Sequence, residues 1–321
     1  MRVAVCGLGS HVAQVGVIPA LRRSSWTQFL GGTTRSVETA RKVLADNERR
    51  YPDYEAILND PSVEAVYLPL PNDLHLDYLA KALAANKHVL CEKPLLTSEA
   101  DYVKLERLVA TSSCLVAEAF MSSYHPRLRS ILDLVASGAL GEIISVQTSF
   151  TGALSPLDGY RIDSTRGGGS LLDVGIYALH PIVALLGNAP SAISATVMPS
   201  KTSPPIDLTT HCLLSYPHGV SAAFITSFIS GESQNVRILT RRATIEVSRA
   251  CTPSDEDTTW TITTADGTTI HDSRGYDPYQ AMVDEVFEAF TDGREPSWNL
   301  SRAHQLATLL FRINETWRSG S

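Results

Sequence analysis

Long apolar runs are missing from this sequence. No segment of its 321 residues approaches the run of about 18 apolar residues that a membrane-spanning helix needs. The first residues, Met1–Cys6, are typical of a core strand and lack the apolar stretch and cleavage site of a secretory signal. We therefore expect a protein that does not associate with membranes.

The chain also has few cysteines and no pattern of metal ligands. Its five cysteines are widely spread, and it has no CxxC pair, no HExxH motif and no close His/Cys cluster. This distribution argues against a disulfide framework and against a bound metal. It predicts reduced, buried thiols in a cytoplasmic protein.

Basic residues are in the minority. Lys and Arg number 27 against 34 Asp and Glu, the net charge is -7, and no basic block occurs, so we expect no nucleic-acid partner. Hydrophobic residues make up 44% and charged residues 19%, which are the values of an ordinary globular protein. A chain of this length is expected to form two domains.

Short apolar strands alternate with amphipathic helices in the first part of the chain. This alternation is typical of a parallel, doubly wound α/β sheet. Asn72 is placed to cap the helix that follows it. The predicted strands are 3–6, 27–32, 65–70, 88–91 and 114–118, and the predicted helices are 13–22, 36–46, 54–58, 73–85 and 99–110.

The pattern changes beyond residue 122. Segments rich in Val, Ile, Thr and Ser follow one another across short turns, which is typical of a mostly antiparallel sheet. We therefore predict two domains, 1–122 and 123–321, with the closing helices packing back towards the first. The predicted strands are 142–150, 191–198, 208–216, 220–228, 236–239 and 244–247, and the helices are 126–137, 169–186, 279–291 and 301–317.

A glycine turn follows the first strand and opens the first helix. Gly7 permits a tight turn, Gly9 lets the backbone approach a pyrophosphate, and the helix start supplies unpaired N–H groups. The third glycine of the usual GxGxxG pattern is missing. The glycine turn nevertheless predicts a dinucleotide site, because it lies between the first strand and the first helix of an alternating strand–helix chain. The residues expected to form it are Gly7, Gly9, Ser10, His11 and Val12.

The end of the second strand is where a dinucleotide site distinguishes NAD from NADP. A carboxylate there would bind the ribose 2′-hydroxyl of NAD. This chain has no acid in the segment before Glu38, whereas Thr34 and Arg35 can hold a 2′-phosphate. We favour NADP as the cofactor, with NAD as the alternative.

Two further patterns carry candidate catalytic groups. Lys93 follows the fourth strand at its carboxyl end, where it can stabilise negative charge on a substrate oxygen; an ordinary surface lysine is the alternative. Asp173, Tyr177 and His180 share one stripe of an otherwise apolar helix. Because such groups are costly to bury without partners, the stripe indicates a polar site, and a satisfied core network is the alternative.

Together these motifs resemble the glucose–fructose oxidoreductase/inositol dehydrogenase (Gfo/Idh/MocA) family. The resemblance covers essentially the whole chain and rests on the glycine turn, 66–75 (VYLPLPNDLH), 87–94 (KHVLCEKP) and 167–180. It implies a Rossmann domain followed by an α/β domain on a large open sheet, through which we expect a homodimer or homotetramer. The glycine turn is one residue longer than the family pattern.

The resemblance also implies roles for the candidate residues. Lys93 corresponds to the lysine of the family's EKP motif, beside nicotinamide and substrate, and Asp173 to the aspartate that orients it. Some members carry a histidine acid/base at the position of Tyr177. A tyrosine at this position resembles sugar ketoreductases and xylose and dihydrodiol dehydrogenases. The remaining expected ligands are Leu70, Asn72, His75 and Glu92 for the cofactor and Arg161 and His180 for the substrate.

The function that follows is hydride transfer between the nicotinamide and a secondary alcohol or ketone. We expect the substrate to be a cyclic sugar, a polyol or a nucleotide-sugar, because 247–253 (VSRACTP) resembles the deoxysugar ketoreductases. An aldose (xylose-like) or trans-dihydrodiol dehydrogenase is the alternative. A non-catalytic sugar or nucleotide sensor and an NAD-dependent glycosidase are alternatives from other classes on the same fold.

Overall fold

The computed structural model of the chain describes residues 1–254, 256, 258–273 and 276–318. Its contacts divide the chain into two units: Met1–Tyr124 with Pro278–Ala303, and His125–Asp277 with His304–Ser321. The boundary of separately folding domains after residue 122 stays a prediction. The helices are α1 Ile18–Arg23, α2 Val37–Val43, α3 Tyr54–Leu58, α4 His75–Ala84, α5 Glu99–Ala110, α6 Pro126–Ala136, α7 Ser170–Leu186, α8 Pro278–Thr291 and α9 Leu300–Arg318.

A parallel sheet forms the centre of the N-terminal unit. Its strands are β1 Arg2–Val5, β2 Gln28–Thr33, β3 Arg49–Tyr51, β4 Ala65–Leu68, β5 His88–Glu92 and β6 Val116–Ala119. They lie in the order β3-β2-β1-β4-β5-β6, and every neighbouring pair is parallel. This order confirms the predicted doubly wound sheet and places its switch point between β1 and β4. The loops that follow β1, β2, β4 and β5 therefore share one edge.

Short polar side chains begin several helices of this unit. Ser36 accepts the N–H of Thr39 at the start of α2, and Ser98 accepts that of Asp101 at the start of α5. The prediction that Asn72 caps a helix from residue 73 was wrong. Asn72–Leu74 forms a 3-10 turn, and α4 begins only after it.

The first helix differs from the single segment that was predicted. A π-helical turn, Ala13–Val17, precedes α1. A π-helical turn holds more residues than an α-helical turn, and this one follows shortly after the glycine turn. Pro19 is the second residue of α1 and follows this π-helical turn within a continuous run of helical backbone from residue 11 to residue 23.

A mostly antiparallel sheet forms the centre of the C-terminal unit. Its strands are β7 Ile143–Ala153, β8 Ala192–Pro199, β9 Asp207–Ser215, β10 Ser221–Ser227, β11 Ile229–Ser233, β12 Val236–Thr240, β13 Thr244–Val247, β14 Thr259–Thr264 and β15 Gly267–Asp272. They lie in the order β15-β14-β13-β12-β7-β10-β9-β8, with β11 on β7. Only β7 and β10 pair in parallel among the described strands, so the predicted sheet type is confirmed.

A buried carboxylate from this sheet begins helix α7. Asp207 accepts hydrogen bonds from the Leu171 N–H and the Ser170 hydroxyl, both at 2.7 Å, and from the Thr210 hydroxyl at 3.0 Å. Gly169, with φ 115°, precedes the helix, and a Cβ at this position would collide with the carboxylate. Asp207 therefore caps α7 from the neighbouring strand β9 and places negative charge at the positive end of the helix dipole.

A second buried carboxylate lies in the N-terminal unit, at the end of β6. Glu118 accepts the N–H of Leu95 at 2.7 Å and the indole N–H of Trp298 at 2.8 Å. Burial raises the pKa of Glu118 to about 7, although both hydrogen bonds and the charge of Lys93 act in the opposite direction. Glu118 thus ties the loop after β5 to the segment after α8.

The described part of the chain contains no helix with the length and apolar character needed to cross a membrane. It also contains no group of three or more His, Cys, Asp or Glu side chains placed to hold a metal ion. All five cysteines lie within it as buried thiols.

Removing the Asp207 carboxylate should destabilise the C-terminal unit. We expect Asp207→Ala to lower the free energy of unfolding by about 3 kcal/mol, because it leaves buried donors of α7 without an acceptor. Thr210→Val removes one of the three hydrogen bonds and should cost about 1 kcal/mol. Urea unfolding followed by circular dichroism measures both; equal effects would contradict the capping role.

Glu118 should make the stability of the protein fall as the pH rises. Its pKa of about 7 exceeds the ordinary 4.5, so between these pH values the folded state holds a proton that the unfolded state has released. The resulting loss is about 3 kcal/mol, complete above the folded pKa. His125, whose pKa burial lowers to about 4, acts in the opposite direction.

Glu118→Gln should therefore remove the part of this pH dependence that Glu118 contributes between about pH 4.5 and 7, even if the amide lowers stability at every pH. Comparing its urea midpoints with those of the wild type cancels the contribution of His125. Glu64→Gln is the control, because the Arg2 N–H lowers the pKa of Glu64 instead. An unchanged wild-type slope in Glu118→Gln would contradict the assignment.

Candidate active site

The glycine turn lies at the switch point of the parallel sheet. The Leu8 N–H donates to the Thr33 carbonyl at 2.8 Å, which joins this turn to the end of β2. Ser10 accepts the N–H of Ala13 at 3.4 Å. Gly9 is exposed, and no atom beyond its own and its two neighbouring residues lies within 4 Å of the position that a Cβ would take. The turn thus presents open backbone and a hydroxyl group, which suits a pyrophosphate.

The predicted nucleotide-selecting residues lie at the end of β2. Thr34 is partly exposed and accepts the N–H of Ser36 at 3.2 Å, which leaves its hydroxyl hydrogen available. Arg35 is exposed and forms no hydrogen bond or ion pair with any described side chain. Hydroxyl groups and an uncommitted guanidinium are a donor set that fits a 2′-phosphate. His11 and Val12 lie at the solvent side of the turn.

Glu92 is the last residue of β5, and Lys93 begins the loop that follows. The buried Tyr67 hydroxyl donates to Glu92 at 2.7 Å, and the Lys93 N–H lies 3.3 Å from the other Glu92 oxygen. The Lys93–Pro94 peptide bond is cis. Tyr67 and Glu118 therefore hold this loop from two neighbouring strands, and Lys93 stands at the carboxyl edge, as its place in the chain predicts.

The His75 imidazole is fully buried and joins two loops of the same edge. Its Nε2 lies 2.9 Å from the Leu70 carbonyl oxygen, and its Nδ1 lies 3.1 and 3.0 Å from those of Pro94 and Leu95. Burial lowers the pKa of His75, and the three carbonyls oppose that shift. Both ring nitrogens thus face the backbone, and direct contact of the imidazole with a cofactor stays a prediction. Asn72 is also buried, in the 3-10 turn that precedes α4.

The polar stripe of α7 lies inside the C-terminal unit. Asp173 accepts the Nε–H of Arg161 at 2.9 Å, and the Arg161 guanidinium also lies over the Tyr160 ring at 4.8 Å. Tyr177 is buried and stacks on Phe150, with ring centroids 5.0 Å apart. The structure therefore pairs Arg161 with Asp173, which lies one helical turn before Tyr177.

Two of the three glycines before α7 hold the segment of Arg161 against the start of this helix. The Gly169 N–H donates to the Arg161 carbonyl and the Gly168 N–H to that of Asp163, both at 2.9 Å. The 3-10 turn Gly159–Ile162 is thereby folded against the start of the helix. His180, one turn beyond Tyr177, is also buried, so the stripe extends along the helix as the spacing predicts.

The candidate residues fall into two groups. Lys93 and the cofactor ligands belong to the first unit, and Arg161, Asp173, Tyr177 and His180 belong to the second. Convergence of the two groups on one nicotinamide stays a prediction. Sequence reasoning missed the supporting side chains Tyr67, Glu118 and Asp207. Glu118 could have been found from the sequence, because an acid within the apolar run of β6 indicates a buried carboxylate that needs partners. Tyr67 gives no such signal, because aromatic residues are common in core strands.

Comparisons with known proteins identify the family. The profile described as an oxidoreductase family with an NAD-binding Rossmann fold matches residues 1–120. The profile of the GFO/IDH/MocA C-terminal domain matches residues 128–270. Together they cover most of the chain and confirm the resemblance inferred from the motifs.

Similar proteins include sugar-converting enzymes. A D-xylose 1-dehydrogenase (NADP(+)) of Haloferax volcanii is 31% identical over 95% of this chain and 94% of its own length. A dTDP-3,4-didehydro-2,6-dideoxy-alpha-D-glucose 3-reductase of Streptomyces violaceoruber is 32% identical over 79% of this chain and 74% of its own.

A solved structure matches nearly the whole chain. It is a 3-ketoreductase from Actinomadura kijaniata in complex with NADP and TDP-benzene, with a TM-score of 0.89 and 26% identity. The match covers 98% of this chain and 97% of that one. The two profiles, the two sheets and the arrangement of Lys93 and Tyr177 in their motifs lead to one conclusion: this chain belongs to the GFO/IDH/MocA family of oxidoreductases.

Proposed function

We propose that this oxidoreductase uses NADP(H) to interconvert a ketone and a secondary alcohol on a cyclic sugar or nucleotide-sugar. The observation that carries the proposal is the buried phenol of Tyr177, one helical turn after an Asp173 that is paired with Arg161. A phenol in this position can give up and take back a proton without net change in the protein.

The proposed mechanism assigns one task to each side chain. The nicotinamide, when bound, supplies or accepts the hydride. In reduction, Tyr177 Oη donates its proton to the alkoxide oxygen as it forms. Lys93 Nζ donates a hydrogen bond to the same oxygen and stabilises its negative charge. Asp173 orients Lys93 and holds Arg161 towards the hydroxyl groups of the substrate, where His180 lies further along the helix.

The end of β2 supports NADP as the preferred cofactor. Thr34 and Arg35 provide hydroxyl and guanidinium donors, and the first acid beyond them is Glu38 in α2. The similar xylose dehydrogenase is named as NADP-dependent, and the similar ketoreductase was crystallised with NADP. NAD is the alternative that binding measurements must exclude.

A nucleotide-sugar ketone is the substrate that we favour. The segment 247–253 is anchored within its unit, because Arg127 donates to the Arg249 carbonyl at 2.7 Å and Thr252 donates to Gln234 at 2.6 Å. The similar dTDP-sugar 3-reductase and the ketoreductase bound to TDP-benzene support this class. An aldose is the second candidate, because the xylose dehydrogenase matches nearly the full chain.

The substrate class can be tested by following the absorbance of reduced nicotinamide. We expect NADPH oxidation with a dTDP-linked 3-ketosugar, and slower or no NADP reduction with xylose or a trans-dihydrodiol. Faster turnover of xylose would favour the aldose dehydrogenase. Turnover of none of these, despite NADPH binding, would favour a sensor, and release of a leaving group without net NADPH consumption would favour a glycosidase.

Tyr177→Phe tests the proton donor. We expect kcat to fall at least about a hundredfold, since general acid catalysis contributes that much or more, while the Kd for NADPH stays within about twofold of the wild type. Tyr216→Phe is the matched control, because this buried phenol donates to the Gly187 carbonyl on another part of the C-terminal unit. Undiminished kcat in Tyr177→Phe would remove Tyr177 from the mechanism.

We also propose a cytoplasmic homodimer or homotetramer formed through the large sheet. Buried thiols suit a reducing compartment. One sheet face packs on α7, and the opposite face exposes apolar side chains, including Leu213 at 50% and Met198 at 56%. A second copy of this face is the partner that would cover them.

Leu213→Arg should dissociate such an oligomer. A charge on each copy of a self-complementary face disfavours its burial. Light scattering coupled to gel filtration should therefore report a smaller species for Leu213→Arg than for the wild type. Val103→Arg, on α5 of the first unit, should leave the mass unchanged. A monomeric wild type would contradict the proposal.

A further inference from the structure

A second arginine reaches the end of β2 from the neighbouring edge strand. Arg50 lies in β3, in register with Gly32, and its Nη2 donates to the carbonyl oxygen of Thr34 at 3.2 Å. The preceding residue, Arg49, pairs instead with Asp60 at 2.7 Å. The two adjacent arginines thus have different partners, as alternation along a strand predicts. Of these two arginines, Arg50 is the one whose side chain donates to the loop after β2.

An irregularity in β2 permits this approach. The register between β1 and β2 shifts by one residue, so that Ala4 pairs with Gly31 and not with Leu30. Gly31 has φ 130°, and a Cβ there would collide with the carbonyl of Arg49. Glycine at this position therefore lets the backbone of β3 lie close to the end of β2. Arg50 is brought beside Thr34 as a result.

No carboxylate in the described part of the chain pairs with Arg50. Nearby arginines of the same unit are paired, since Arg22 binds Glu48 and Arg49 binds Asp60. Arg50 and Arg35 are exposed, and neither forms an ion pair with any side chain that the structure describes. The Thr34 carbonyl occupies one donor group of Arg50 and leaves the others free for a further acceptor.

We propose that Arg50 is a specificity-determining residue that binds the 2′-phosphate of NADP together with Arg35. Arg35 comes from the loop itself and Arg50 from the adjacent strand, so the phosphate is held from two sides by guanidinium groups. A phosphate dianion requires such charge-assisted donors, whereas the 2′-hydroxyl of NAD does not. The inference rests on the proposed use of NADP and adds a residue that the glycine and β2 motifs do not contain.

The test separates the phosphate contact from the rest of the dinucleotide. Calorimetric Kd values are measured for NADPH against NADH, and for 2′,5′-ADP against 5′-AMP, which contain no nicotinamide. We expect Arg50→Ala to weaken both 2′-phosphorylated ligands about tenfold or more and to change NADH and 5′-AMP by less than about twofold. Arg49→Ala is the matched control. It should preserve the preference for 2′-phosphorylated ligands, because the Arg49 side chain pairs with Asp60.

The possible outcomes distinguish this inference from the proposed function. If Arg35→Ala loses the preference for 2′-phosphorylated ligands and Arg50→Ala retains it, the role of Arg50 is overturned and the NADP assignment stands. If Arg50→Ala weakens NADH and NADPH equally, Arg50 supports the loop only, and the specificity role is again overturned. A wild type that binds NADH as tightly as NADPH overturns both the cofactor assignment and this inference.

Discussion

Buried carboxylates that must find hydrogen-bond donors are the constraint on which this structure depends. Asp207 accepts hydrogen bonds from the first residues of α7. These bonds fix the helix that carries Asp173 and Tyr177 within its unit. Glu118 does the same for the loop after β5, which carries Lys93. Because an unpaired acid in a protein interior costs several kcal/mol, each carboxylate restricts its segment to very few positions. Both catalytic candidates are thus supported by acids that do not themselves belong to the proposed reaction.

The same principle organises the cofactor edge of the parallel sheet. His75 joins the loops after β4 and β5 through backbone carbonyls, and the Leu8 N–H joins the glycine turn to the end of β2. These contacts join the loops through the protein's own backbone and side chains, which reduces the ordering that ligand binding requires. In contrast, the guanidinium groups of Arg35 and Arg50 are exposed. This exposure is consistent with the proposed binding of a phosphate from solution.

Much of the fold could be predicted from local patterns. The strands and helices of the first unit were expected from their alternation, apart from β3. That strand is only three residues long and contains two arginines, so it has no apolar period of its own and exists because β2 offers an edge. β14 and β15 were missed for a similar reason, since their threonine-rich segments form strands by pairing with neighbours. The cap of α4 was misplaced because residues 72–74 form a 3-10 turn, and the sequence pattern does not distinguish its start from the start of an α-helix.

The sequence by itself determined the family, the order of the two sheets and the motifs that hold Lys93, Asp173 and Tyr177, because periodicity and glycine turns are local properties of the chain. Only the tertiary structure decided that Asp173 pairs with Arg161, that Glu118 and Asp207 support the two candidate segments, and that Arg50 reaches Thr34. These contacts join residues that are distant along the chain. Their partners are selected by the packing of strands and helices, which no single segment encodes.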